Sequence, residues 1–283
     1  MIIGIIGGSG LYKIDGLGKI KKIKVTTPFG KPSSEFICGQ LNGIDVVFLP
    51  RHGINHTILP SEINYRANIF AMKKIGVEKI ISISAVGSLK EELRPLDLVL
   101  PDQFFDRTSK RISTFFGKGI VSHVSFADPI CQDNAKKIYE IVKKMDIPIH
   151  LGGVYVNMEG PQFSTKAESS IYRKLGFDII AMTNLAEAKL AREAEICYVT
   201  LACVTDYDCW HPKHDTVTID MIISNLNKNV ENAKNIITNI VPVLAKERNC
   251  LCSSALKYAI VTPKSAITSA VKKRLKPIIG KYI

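Results

Sequence analysis

Several features that define common protein classes are missing from this sequence. No apolar run reaches the roughly 18 residues that a membrane span requires, and Met1 leads directly into the strand-like Ile2–Ile6 rather than into a basic leader segment. The CxxC pairs and histidine partners that are typical of zinc sites are also missing, so we expect no metal. These absences favour a cytoplasmic globular protein with no membrane partner.

The glycine-rich start of the chain lacks a nucleotide-binding fingerprint. Gly4, Gly7, Gly8 and Gly10 follow one another closely, but Lys13 stands where a G-x-G-x-x-G pattern needs its last glycine. The GK[ST] of a P-loop is missing as well. What remains is a short glycine turn whose one hydroxyl, on Ser9, suits a small oxyanion, with a purely structural turn as the alternative.

The charge balance leaves two interpretations open. A net charge of +12 makes anionic partners such as nucleic acid plausible. The lysines are scattered, however, and no pattern of stacking aromatic residues accompanies them, so we favour a solvated basic surface and expect no nucleic-acid partner. Residues 264–283 combine a basic cluster with apolar residues at helical spacing. We expect this extension to pack on the same domain or on an oligomer rather than on a membrane.

Short β-type runs alternate with amphipathic segments, which predicts an α/β fold with a central mixed β-sheet flanked by helices. Hydrophobic residues make up 46% of the chain, enough for one large core, and no linker divides the chain before residue 250. We therefore predict one domain over residues 1–263, followed by the extension. The predicted strands are Ile2–Ile6, Ile20–Val25, Val46–Leu49, Ile80–Ser84, Leu98–Leu100, Val154–Val156, Ile179–Ala181 and Cys197–Val204. The predicted helices are Glu62–Ile75, Asp133–Met145, Ala167–Leu175, one that a capping box opens at Asn184, and Ile219–Leu244, which Pro242 should kink or end.

Three predicted strands end in groups that suit a phosphate. Arg51 and His52 follow one strand, and Ser84 and Ala85 follow another. The glycine turn with Ser9 follows the first strand of the chain. A forked guanidinium, hydroxyls and free amides are the donors that phosphate sites use. The convergence of three strand ends predicts one anion pocket.

The apolar run from Ile196 leads into two acids, Asp206 and Asp208. A carboxylate accepts a hydrogen bond from an exocyclic amine, and when its pKa is raised it donates a proton to a ring nitrogen. Two acids at this spacing suit two edges of an adenine-like base. A solvent-facing loop is the alternative for the motif taken alone.

Taken together, these motifs resemble the 5′-methylthioadenosine phosphorylases of the trimeric purine nucleoside phosphorylase superfamily. The resemblance covers roughly residues 2–262 in consistent order. Its motifs are GIIGGSGLY, RHGxxHxxxP, NYRANI, AVGSL, DQFFDRT, EGPQFST, MT at Met182 and TDYDCW. It implies phosphorolysis of 5′-methylthioadenosine to adenine and 5-methylthioribose 1-phosphate, with inorganic phosphate as co-substrate and no cofactor.

The resemblance also implies a role for each matched residue. The phosphate site falls on Ser9, Arg51, His52, Ser84, Ala85 and Thr183. Around the ribose and base it places Phe163, Ser164, Met182, Asp206 and Asp208, the two acids being the catalytic pair. The 5′-methylthio group falls among His123, Thr205, Ile219, Ile222 and Ile223.

The resemblance is less specific about the oligomeric state, the oxidation state of the cysteines and the range of substrates. The resemblance implies a homotrimer or a dimer of trimers, and relatives from heat-loving organisms are known for disulfides, including a Cys-x-Cys like Cys250-Leu-Cys252. Cys197 and Cys203 would lie about 20 Å apart in one strand, so they cannot bond to each other. The main rival function is a 6-oxopurine nucleoside phosphorylase, in which an Asn stands at position 206. Adenosine is a possible further substrate.

Overall fold

The computed structural model describes residues 1–8, 10–212 and 219–283, with the side chains of residues 219–223 left out. Within these ranges the chain forms eleven strands and six α-helices. The strands are β1 (Ile2–Gly7), β2 (Gly18–Ile23), β3 (Phe36–Leu41), β4 (Ile44–Pro50), β5 (Val77–Ser88), β6 (Leu98–Leu100), β7 (Gln103–Arg107), β8 (Ile149–Leu151), β9 (Val154–Met158), β10 (Ile179–Ala181) and β11 (Cys197–Asp206). The helices are α1 (Tyr65–Lys74), α2 (Gln132–Val142), α3 (Lys166–Lys174), α4 (Asn184–Glu193), α5 (Ile219–Leu244) and α6 (Ser269–Ile279).

All eleven strands belong to one mixed sheet. Its main path runs β2-β3-β4-β1-β5-β10-β9-β7, while β11 pairs with β5 and β6, and β6 pairs with β8. The pairs β1–β4, β1–β5 and β5–β11 are parallel, whereas β5–β10 and β6–β11 are antiparallel. The predicted α/β fold with a central mixed sheet is confirmed.

Strand β5 is the centre of the sheet, and the buried strand β11 runs beside it. Every residue of β11 before Asp206 is buried, and nearly all of β5 is buried too. Parallel strands that are covered by helices on both faces require such continuous apolar runs. Because β1, β4, β5 and β11 run parallel to one another, their carboxyl ends lie at the same edge of the sheet. Open α/β sheets bind their ligands at this edge.

The capping box predicted at Asn184 is wrong. Helix α4 has Thr183 as its N-cap, without a side-chain cap bond, and Asn184 is already helical. The carboxylate of Glu187 turns instead to Arg51. A true capping box opens α3, where the Thr165 side chain accepts from the Glu168 amide and the Glu168 side chain accepts from the Thr165 amide.

Strands β3, β7 and β8 are missing from the sequence prediction. Every predicted strand is found, β6 and β10 with the predicted ends and the others with shifted ends. Helix α5 continues two residues past Pro242, to Leu244. Helix α6, within the extension, buries apolar residues in the same core cluster as the sheet; they are Val271, Leu275, Ile278 and Ile279. The domain boundary at residue 263 stays a prediction. Among the described helices, none is both long and apolar enough to cross a membrane.

Candidate active site

Arg51 lies at the end of β4 and is almost fully buried, with 4% of its surface exposed. Its backbone amide donates to Gly7 O at 3.1 Å, which places it beside the glycine turn that follows β1. The guanidinium forms a two-point ion pair with Glu187: Nε donates to Oε1 at 2.7 Å and Nη2 to Oε2 at 3.2 Å. Nη1 donates to Ile83 O at 2.7 Å, and Nη2 also reaches Ser82 Oγ at 2.5 Å.

The Arg51–Glu187 pair fixes both the position and the charge of the guanidinium. Burial opposes the charged form of Arg51, but Glu187 more than offsets this and raises the pKa of Arg51. Four of the five N–H groups of an arginine are used in these internal bonds. The fifth, on Nη1, is available to an anion.

His52 is held as a neutral ring. Its Nδ1 lies 2.8 Å from Ile58 O, an acceptor, so Nδ1 carries the proton and Nε2 has the lone pair. The ring also stacks on His56, with centroids 4.3 Å apart. Burial lowers the pKa of His52 to about 4; the hydrogen bond with Ile58 O opposes this shift and the charge of Arg51 adds to it. Nε2 can therefore accept a hydrogen bond from a protonated phosphate oxygen.

A buried polar network joins Ser84 and Thr183, two of the predicted phosphate-binding residues, to Arg51. Ser84 Oγ lies 3.4 Å from the hydroxyl of Tyr155, which donates to Asn184 Oδ1 at 3.1 Å. Thr183 Oγ1 donates to the same oxygen at 3.2 Å. Asn184 Nδ2 donates to Ser82 Oγ at 3.0 Å, and this hydroxyl in turn donates to Glu187. Hence Arg51, Ser84 and Thr183 share one network, and Thr183 lies at the N-terminus of α4, where helices bind anions.

Asp206 is the last residue of β11, and its carboxylate is anchored from its own strand end. Oδ2 accepts from Thr205 Oγ1 at 2.6 Å, and Oδ1 accepts from the Asp208 amide at 2.8 Å. Thr205 Oγ1 also lies 3.2 Å from Val86 O on β5. Asp208 is 7% exposed and adopts a left-handed backbone conformation with φ of 52°.

Gly87 makes room for this arrangement. The register between β5 and β11 shifts between Val204 and Asp206, so that Asp206 faces Gly87. A Cβ on Gly87 would lie 3.0 Å from Asp206 Oδ1 and 3.4 Å from Asp208 Cβ. A glycine at this point therefore lets the Asp206 carboxylate lie flat against β5.

Both acids hold their protons unusually strongly. Burial raises the pKa of Asp206 to about 6, and the neighbouring charge of Asp208 adds to the increase. Burial likewise raises the pKa of Asp208. Among the residues that the structure describes, no ion pair involves either acid. Asp206 can therefore exchange a proton near neutral pH, as a general acid requires.

Of the predicted ribose and base contacts, Ser164 lies beside Asp208. Met182 packs so closely on Gly160 that a Cβ at this glycine would collide with Met182 Sδ. Ser164 O accepts from Cys209 Sγ at 3.3 Å, directly after Asp208. Phe163 projects outward and is 66% exposed. An open aromatic side chain next to the acids is available to cover a planar base.

Several predicted positions remain apart from this cluster or outside the description. Ser9 lies outside the described residues, and the side chains of Ile219, Ile222 and Ile223 do too, although their backbone opens α5. His123 is exposed, and its amide donates to Ala259 O at 2.9 Å in the C-terminal segment.

Sequence reasoning missed the residues that support the phosphate side. They are Ser82, Tyr155, Asn184 and Glu187. Glu187 could have been recognised as buried from its helical spacing. It lies three and four positions before the apolar Leu190 and Ala191, so all three residues share the apolar face of α4. A glutamate on a core-facing helix surface needs a buried cation.

All seven cysteines are free thiols in the structure, so the implied disulfides are not seen in it.

Comparison with known proteins gives consistent matches over the whole chain. The family model described as the phosphorylase superfamily matches residues 2–242. An S-methyl-5′-thioadenosine phosphorylase from Koribacter versatilis is 59% identical over 280 residues, which are 99% of this chain and 96% of that protein. One from Geobacter sulfurreducens is 56% identical and spans 100% of this chain and 99% of its own length.

Solved structures agree with these relatives. A methylthioadenosine phosphorylase from an antarctic soil metagenomic library superposes with a TM-score of 0.94 at 50% identity and covers 98% of both chains. A variant of the adenosine/methylthioadenosine phosphorylase of Schistosoma mansoni, in complex with methylthioadenosine, gives a TM-score of 0.81 at 36% identity. It covers 88% of this chain and 93% of that one.

Proposed function

The chain belongs to the phosphorylase superfamily and, within it, to the S-methyl-5′-thioadenosine phosphorylases, and on this premise we propose how its residues carry out the reaction. The reaction is the phosphorolysis of 5′-methylthioadenosine to adenine and 5-methylthioribose 1-phosphate. Inorganic phosphate is the co-substrate, and the chemistry asks for no organic cofactor or metal. The observation that carries the assignment of roles is the buried acid pair Asp206 and Asp208, with raised pKa values, at the carboxyl end of β11.

Phosphate binds where Arg51, His52, Ser84, the Ala85 amide and Thr183 converge, with Ser9 on the neighbouring glycine turn. The remaining N–H of Arg51 and the hydroxyls donate to its oxygens, while His52 Nε2 accepts from the protonated oxygen. Because Glu187 already holds the guanidinium in place, the phosphate binds to a donor that does not have to reorient.

The purine lies against Asp206 and Asp208, beside Met182, Ser164 and Phe163. As the glycosidic bond stretches, the ribose gains oxocarbenium character and the purine gains negative charge. Asp206 donates its proton to N7, and Asp208 accepts from the 6-amino group. The phosphate stabilises the cation and attacks C1′. Thr205 and the first turn of α5, with Ile219, Ile222 and Ile223, surround the methylthio group.

The assembly is a homotrimer or a dimer of trimers that acts in the cytoplasm. The exposed position of His123, tied to the C-terminal segment, supports a role for this residue in a neighbouring copy's methylthio pocket. Mixing inactive Asp206→Asn and His123→Ala chains tests this role, because hybrid oligomers should regain activity. Light scattering gives the oligomer order, and cell fractionation gives the compartment.

A phosphate-dependent assay on 5′-methylthioadenosine, adenosine, inosine and guanosine tests the reaction. We expect cleavage of 5′-methylthioadenosine, with adenosine as a weaker substrate, and none without phosphate. Cleavage of inosine but not of 5′-methylthioadenosine would overturn the proposal.

A further inference from the structure

Four of the seven cysteines meet at the amino end of β11, the end remote from Asp206. The Sγ atoms of Cys131, Cys197, Cys250 and Cys252 all lie within 4.8 Å of one another. The Sγ atoms of Cys197 and Cys250 are 3.3 Å apart. Cys197 lies nine positions before Asp206 along β11, which corresponds to about 30 Å.

The four sulfurs come from three separate parts of the fold. Cys131 is the N-cap of α2 and makes no side-chain cap bond, and Cys197 opens β11. Cys250 and Cys252 lie at the start of a short 3-10 helix, Leu251–Ser254, in the C-terminal segment. Three of the four cysteines are buried, with exposures of 0%, 3% and 8% for Cys197, Cys131 and Cys252.

A buried cation lies beside the sulfurs. Lys79 on β5 is the register partner of Cys197 and is only 1% exposed. Its Nζ donates to the neutral carbonyl of Lys246 at 2.9 Å. A buried ammonium group is costly without a counter-charge, and thiolates at the neighbouring strand position would supply one. The N-terminus of α2 adds positive potential at Cys131.

We propose that Cys131, Cys197, Cys250 and Cys252 bind one Zn²⁺ ion as a tetrahedral tetrathiolate site. Zn–S bonds of about 2.3 Å place tetrahedral sulfurs about 3.8 Å apart, a spacing that the cluster reaches with small side-chain shifts. Binding deprotonates the four thiols and involves no redox step. The complex carries two negative charges, which Lys79 partly balances.

Four protein ligands leave no open position on the ion, so the site is structural rather than catalytic. The ion would fasten the Cys250–Cys252 turn to the start of β11 and to α2. The expectation of no metal rested on the missing CxxC and histidine spacing, whereas the fold brings these thiols together from distant segments.

Metal analysis of the intact protein tests the site. The chain is expressed in zinc-supplemented medium and purified under reducing conditions, and its zinc and iron are measured by plasma mass spectrometry. We expect one zinc per chain in the wild type and in the control Cys38→Ser, whose cysteine lies outside the cluster. Cys250 is the least buried of the four cysteines, and we expect Cys250→Ser to contain at least tenfold less zinc per chain than the wild type. Circular dichroism checks that this variant is folded.

Native and denaturing mass spectrometry separate the competing states of the four sulfurs. A zinc adduct that disappears on denaturation with a chelator, leaving seven titratable thiols, supports the site. The protein is also purified without reductant and with zinc present. If only three thiols can then be titrated, the four cysteines form two disulfides, and this result would overturn the proposal. Protein with seven free thiols and no metal would overturn it as well, and stoichiometric iron would overturn the choice of zinc.

Discussion

The phosphate side and the base side of the candidate site handle buried charge in opposite ways. On the phosphate side, Arg51 is paired at two points with Glu187 and further bonded to Ser82 and Ile83. On the base side, Asp206 is partly exposed and Asp208 is buried, and neither takes part in an ion pair among the described residues. One pKa is raised by a partner, and the other two are raised by burial.

The difference follows from what each side has to do. A phosphate-binding cation must stay charged at every working pH, and a carboxylate partner ensures this. A proton donor must instead carry a proton near neutral pH and release it, so a cation beside Asp206 would defeat its function. Substitutions at Glu187, Asp206 and Gly87 test this difference between the two sides.

The largest effect is expected where the ion pair is broken. Glu187→Gln keeps the side-chain shape but leaves the Arg51 charge buried without a counter-charge, which should lower the free energy of unfolding by about 3–5 kcal/mol. Urea unfolding measures it, and the exposed Glu140→Gln serves as control. A loss below about 1 kcal/mol would show that Arg51 does not depend on Glu187.

Removing the proton donor should cost activity rather than stability. We expect Asp206→Asn to lower kcat/KM for 5′-methylthioadenosine by about 10²–10³-fold and to move preference toward inosine or guanosine, because an amide can donate to N7 and O6. The melting temperature should not fall, since a buried charge is removed. Asp45→Asn, on the exposed part of β4, is the control. Full activity on 5′-methylthioadenosine with none gained on 6-oxopurines would refute this role.

The unpaired acid should leave a signature in the pH dependence of stability. The folded-state pKa of Asp206, about 6, lies above its unfolded value, so its stabilising contribution is present below pH 4 and is lost as pH rises through 6. Relative to Asp206→Asn, the wild type should lose about 2–3 kcal/mol of unfolding free energy across that window. His52 contributes in the opposite direction, because its lowered pKa stabilises the folded state as the pH rises. Both proteins contain His52, so its contribution cancels when their unfolding free energies are subtracted. A constant difference would contradict the raised pKa.

The smallest effect is expected from crowding the acid without touching its chemistry. Gly87→Ala places a methyl group 3.0 Å from Asp206 Oδ1 and should reduce kcat/KM by about tenfold. Gly18→Ala, where a methyl group meets nothing within 4 Å, is the matched control. If Gly87→Ala keeps wild-type kinetics, the close approach of β5 to Asp206 does not position the acid.

Sequence patterns predicted the central strands well because their apolar runs are long. They missed β3, where Gly39 and Gln40 interrupt the run, and β7, which is largely exposed and ends in Asp106 and Arg107. Neither strand shows the continuous apolar pattern of β5 or β11. Both are held by their neighbours in the sheet, and this tertiary pairing has no local signal.

The same distinction applies to the site. Arg51, Ser84 and Asp206 could be found because each comes at the end of an apolar run, although β5 continues past the predicted end at Ser84 to Ser88. The sequence did not identify Glu187 as the partner of Arg51, because the two residues lie 136 positions apart along the chain. The position of Glu187 three residues after Asn184 indicated a capping box instead. Contacts between distant segments depend on the assembled sheet, and the four clustered thiols are a second instance.

Asp208 shows where this fold is less stable than it could be. A non-glycine residue with φ of 52° is strained, and its carboxyl is buried as well, so Asp208→Gly should relieve both costs while removing the proposed contact with the amino group of the purine. Selection for thermal stability alone would therefore tend to discard this acid. Directed evolution of a hardier enzyme has to hold position 208 constant and seek its gains elsewhere in the chain.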